Sequence, residues 1–82
     1  MKVRVKVVLK DGILDPQGKA VLQAINDLKF EGVNDVRIGK YIELTFNGLE
    51  RDMVENETKE ICQKLLANPV MENFDFEIED IT

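Results

Sequence analysis

Residues 2–10 alternate between apolar and charged positions. Val3, Val5, Val7 and Leu9 fall on one face, Lys2, Arg4, Lys6 and Lys10 on the other, with Val8 joining them. A period of two in β-branched residues predicts a strand with one buried face. Asp11-Gly12 supplies turn chemistry. Asp15-Pro16 then reads as a helix start, because Asp can accept from orphan backbone N–H groups and Pro needs no donor at the first helical position. Ala20, Val21, Ala24, Ile25 and Leu28 form a helical stripe, and Gly32 marks the exit. Gly18 is unexpected in a helix, where glycine costs about 1 kcal/mol against alanine. It implies a close neighbour or an irregular first turn.

Residues 33–47 predict a hairpin. Val36 and Ile38 precede Gly39-Lys40, and Ile42, Leu44 and Phe46 follow in alternation with Tyr41, Glu43 and Thr45. Gly39 would take the positive φ of a tight turn. Residues 50–67 predict a second helix, with Met53, Val54, Ile61, Cys62, Leu65 and Leu66 on its apolar stripe and Asn68-Pro69 as its stop. Residues 73–81 alternate again, Phe74, Phe76 and Ile78 against Asp75, Glu77 and Glu79.

The order β-α-β-β-α-β is the ferredoxin-like signature, an α+β fold with an antiparallel sheet and two helices on one face. In that topology the first and last strands are antiparallel neighbours. Arg4 and Lys6 would then face Asp75, Glu77 and Glu79, each opposite pair contributing roughly 0.2–1 kcal/mol. The match holds equally if the last strand comes from a second copy. With no linker or low-complexity tract, residues 1–82 read as one domain.

Composition narrows the function. A domain of 82 residues buries only about 60% of its unfolded surface, so a partner or an oligomer is expected. Hydrophobic residues are 44% and charged residues 33%, a globular balance. Lys+Arg is 11 against 16 Asp+Glu, a net charge of −5. That argues against nucleic acid and against an anionic membrane surface. There is no His, which removes the commonest general base and excludes a Ser-His-Asp triad within the chain. A single Cys cannot form an internal disulfide. No apolar run approaches the roughly 20 residues of a membrane span, and the first residues do not resemble a signal peptide. A cytoplasmic protein is expected.

Few residues suggest chemistry. Cys62 sits on an apolar stripe with no His to activate it, and reads as a buried, inert thiol. Asp75, Glu77, Glu79 and Asp80 read as a solvated strand face rather than a cation cage, since alternate strand positions lie about 7 Å apart. Arg37 and Lys40 flank Gly39 and could grip a phosphate or an acidic partner, against the plain alternative of a solvated turn. The stretch from Leu9 to Gly18 is the most distinctive. Turn and cap chemistry explain Asp11, Gly12, Asp15 and Pro16, but not Gln17-Gly18 or the apolar Ile13-Leu14 pair. It is not a phosphate-binding Walker loop.

Lys10-Asp11-Gly12-Ile13-Leu14-Asp15-Pro16-Gln17-Gly18 closely resembles the opening motif of PurS proteins. Val36-Arg37-Ile38-Gly39-Lys40 is similar to that family's V-R-x-G-K stretch. Cys62-Gln63-Lys64-Leu65-Leu66-Ala67-Asn68-Pro69-Val70-Met71-Glu72 is similar to its ending. The matches fall in order and span nearly the whole chain, although residues 45–58 carry no motif. The resemblance implies the small subunit of phosphoribosylformylglycinamidine synthase in purine biosynthesis. In that enzyme a glutaminase subunit releases ammonia, and a large synthetase subunit uses it with ATP and Mg. The small subunit implied is a non-catalytic assembly protein without its own cofactor. It would form a homodimer or higher homo-oligomer with exchanged segments.

By motif match, Lys10, Asp11, Asp15, Gln17, Gly18, Arg37, Lys40, Asn68 and Pro69 are candidate partner contacts; no catalytic or metal-ligating residue is implied. Asp15 and Asn68 also have explanations as caps. An alternative of another class is a small-molecule sensor resembling ACT-like regulatory domains, which share the topology.

Overall fold

β1 (Lys2–Leu9) is the middle strand of a three-stranded antiparallel sheet ordered β2-β1-β3. β2 spans Gly39–Thr45 and β3 spans Glu72–Glu79. The structure is a computed structural model and describes residues 1–80; residue 81, which the sequence pattern places in the last strand, lies outside the described residues. α1 (Pro16–Asp27) follows β1, and α2 (Arg51–Ile61) follows β2. The architecture is α+β of the ferredoxin-like kind, with the first and last strands paired as expected.

The alternation of β1 sets the core. Val3, Val5 and Val7 are fully buried beneath α2, whose Val54 and Thr58 are equally buried, as is Cys62 just beyond its end. Ile42, Leu44, Phe74, Phe76 and Ile78 from the outer strands close around them. On the opposite face Lys2, Arg4 and Lys6 of β1 each stand opposite at least one acid. Arg4 stands opposite Glu43 and Glu77, and Lys6 stands opposite Asp75. Lys2 Nζ lies 2.8 Å from Glu43 Oε2, and Arg4 pairs with Glu79. The expected charge match between the terminal strands is therefore made within the chain.

Three expectations need correcting. The strand over Val36–Ile38 does not form; among the described residues the sheet has three strands, and residues 28–38 form no regular element. The Ile38 N–H, which a hairpin ladder would use, donates instead to Asp15 Oδ2 at 2.9 Å. Gly39 does not turn with positive φ. It lies in the β2 ladder opposite Val8, where an added Cβ would collide with the Val7 carbonyl.

The second helix does not stay α-helical to residue 67. A π-helical turn spans Cys62–Leu66, closed by Ala67 N–H to the Cys62 carbonyl at 2.9 Å. The wider turn leaves Cys62 and Ala67 buried and sends Leu65 out to 78% exposure.

The two helices are buried to different degrees. α2 contributes the buried Val54 and Thr58 on the core side of the sheet, whereas no residue of α1 joins the core cluster. Gly18 is the one buried residue of α1. Val21, Leu28 and the following Phe30 are exposed. The chain is correspondingly long, 50 × 29 × 14 Å, with a radius of gyration of 16.3 Å, against about 12 Å for a compact domain of this length.

Candidate functional site

Three loops meet beyond the C-terminal end of β1: residues 10–15, 36–38 and 67–71. β1 ends at Leu9, and the next residue closes the cluster, Lys10 N–H donating to the Met71 carbonyl at 2.8 Å. The loop at 68–72 is wound by Asn68. Its Oδ1 accepts from Val70 N–H at 2.9 Å, and its carbonyl accepts from Glu72 N–H at 2.7 Å. Glu72 Oε1 returns a contact, accepting from Asn68 N–H at 2.8 Å. This is the local competition with helix geometry that Asn offers, and it explains why the π turn is followed by a sharp reversal.

Asp15 joins the other two loops. Its Oδ1 accepts from Gly18 N–H at 2.9 Å, and its Oδ2 accepts from Ile38 N–H at 2.9 Å. The Gly18 bond, then the Ile38 bond, hold its carboxyl below the ordinary Asp value, with help from the Arg37 charge. Gly18 is buried because the Val36 carbonyl passes where a side chain would sit. Arg37 Nη1 pairs with Asp11 Oδ1 at 2.6 Å. Lys40 Nζ stands 4.0 Å from Glu72 Oε2.

All nine sequence-predicted residues lie at this end. Lys10, Asp11 and Arg37 line an open cleft of about 390 Å³ together with Lys19 and Asp35. Asp15, Gln17 and Lys40 line an adjoining groove of about 320 Å³ with Pro16, Ile38 and Glu72. Pro69 borders a third hollow of about 260 Å³ that shares Lys10 and Glu72. Gly18 and Asn68 shape backbone rather than offer a side chain to a partner. Sequence reasoning missed Glu72, Lys19 and Asp35. Glu72 closes the third motif, and its position at a strand start was the signal. It also missed the exposed apolar side chains Leu65, Val70 and Met71.

The chemistry available here is hydrogen bonding and ion pairing. Cys62 is fully buried, and burial pushes its thiol up. Among the described residues no three His, Cys, Asp or Glu side chains are placed to hold a metal ion.

These three loops are the stretches that carry the family motifs. The PurS model, described as phosphoribosylformylglycinamidine (FGAM) synthase, matches residues 2–80. The chain belongs to the PurS family. The Bacillus subtilis phosphoribosylformylglycinamidine synthase subunit PurS is 49% identical over 80 residues, covering 98% of this chain and 94% of that protein. The Methanocaldococcus jannaschii PurS crystal structure, described as one of the subunits of formylglycinamide ribonucleotide amidotransferase in the purine biosynthetic pathway, superposes with a TM-score of 0.87 at 36% identity. It covers 99% of this chain and 98% of that one. A chain in the structure of PurLQS from Thermotoga maritima superposes with a TM-score of 0.85 at 26% identity, covering 93% of each.

Proposed function

We propose that this chain is the assembly subunit of a phosphoribosylformylglycinamidine synthase in purine biosynthesis. It joins a glutaminase subunit to an ATP- and Mg-dependent synthetase subunit and contributes no catalytic group or cofactor of its own. The observation that carries this is the full-length PurS match, whose motif stretches form one continuous loop surface at the end of the sheet. The Thermotoga relative solved in PurLQS supports the partner assignment. The same match favours the subunit over an effector sensor. The site of action is the cytoplasm. No helix among the described residues is long and apolar enough to cross a membrane.

A bridging subunit works by proximity. Ammonia released in one subunit serves the second only if the two sites are held close and shielded, which substitutes geometry for concentration. Steady-state amidine formation, with each subunit omitted in turn, tests this. Omitting this chain should abolish most glutamine-dependent turnover, and high external ammonium should restore part of the synthetase step. Full glutamine-dependent activity without the chain would sink the proposal. Alone, the chain should neither hydrolyse glutamine nor consume ATP.

The chain also pairs with itself. Among the described residues the apolar side chains Val21 of α1 and Leu28 at its C-terminal end are exposed, and such a helix is stable when its apolar stripe is buried. A second copy supplies the missing layer.

A further inference from the structure

We infer that the Asp15 carboxylate is a two-sided tether that sets the direction in which α1 leaves the sheet. One oxygen caps the helix; the other holds the residue leading into β2.

No residue of α1 joins the core cluster, and only Gly18 in its first turn is buried. With Leu22 and Ile25 only partly buried, the aim of the helix depends on its root. Among the described residues, one hydrogen bond joins residues 15–27 to a distant part of the chain, and it is Ile38 N–H to Asp15 Oδ2. The neighbouring Arg37–Asp11 pair cannot replace it, since Asp11 is 99% exposed and exposed ion pairs hold geometry weakly. The Val36 carbonyl seated against Gly18 brings the two segments close enough for one short side chain to reach both.

A carboxylate is the group this needs. It has two acceptor oxygens and no donor, so it can take both N–H groups at once. An Asn in its place would cap equally well but turn an NH₂ toward the Ile38 N–H, donor against donor. A Ser would cap with its single oxygen and leave Ile38 without a partner. Cap and tether are therefore separable functions of one residue. The consequence for pairing rests on the reading that a second copy covers α1. A helix already aimed loses less freedom on docking.

The test uses the full chain carrying Asp15→Asn or Asp15→Ser. Asn, Asp and Ser cap helices about equally well, so far-UV circular dichroism should match the parent. Loss of helix content in both variants would overturn the separation of cap from tether. Spin labels at Lys6→Cys and Asn26→Cys, in a Cys62→Ala background diluted with unlabelled chain, report the angle of α1 to the sheet. Where the parent is monomeric, the pairing reading fails but the tether is still tested: both variants should broaden the label distance distribution, and an unchanged narrow distribution would overturn it. Where the parent pairs, the partner can hold α1, and the dissociation constant decides. Loss of one charge-assisted hydrogen bond should raise it about tenfold, and an unchanged constant would overturn the tether.

Discussion

A hydrogen in place of a side chain at position 18 lets two loops touch. Elsewhere in a helix, glycine to alanine is stabilising by about 1 kcal/mol. At Gly18 the added methyl would meet the Val36 carbonyl and the Asp15 carboxylate. The sign should invert. Gly18→Ala is expected to lower stability by about 1–3 kcal/mol, the usual range for overpacking a tight site, read as a lower urea midpoint at unchanged m-value. A raised midpoint would mean that the Val36 loop yields freely. Thr58 shows the opposite tolerance. Its hydroxyl is buried without a hydrogen-bond partner among the described residues, a cost the core carries beside Val54 and Cys62.

At the scale of elements, the π turn separates two leucines that a plain helical stripe would bury together. Leu65 is 78% exposed, whereas Leu66 packs at the edge of the core. Leu65→Ser should change stability by no more than about 0.5 kcal/mol, as surface substitutions do, while Leu66→Ala should cost about 2 kcal/mol; equal losses in thermal denaturation would return both to one stripe. This is also where sequence and structure part. β1 and β3 were legible because a period of two survives any tertiary context that buries one face. α1 was legible from Asp15, Pro16 and its stripe. The π turn was not, because one extra residue in a turn leaves the apolar spacing nearly unchanged. The absent strand at 36–38 was not, because the partner that takes the Ile38 N–H lies 23 residues away. The site shows the same division. The motifs marked the three loops, but the closure of Glu72 on Asn68 needed the fold.

At the scale of the whole molecule, the exposed stripe of α1 is the feature that demands a partner. Val21 is 40% exposed and Leu28 70%, with Phe30 at 63% just beyond the helix. Each apolar side chain removed from water contributes roughly 1.5–3 kcal/mol at full burial, so a second copy covering this stripe gains enough to offset the cost of association. The charged outer face of the sheet offers no comparable gain, since its cations already face acids of the neighbouring strands. Sedimentation at micromolar concentration should therefore show at least a dimer for the parent chain. Val21→Glu combined with Leu28→Glu should shift it to monomer, with far-UV circular dichroism retained, because neither side chain supports the core under α2. The same double variant should weaken glutamine-dependent turnover in the reconstituted enzyme if pairing places two loop surfaces for two partners. A parent chain that sediments as a monomer, or a double variant that still pairs as tightly, would move the self-association surface away from α1.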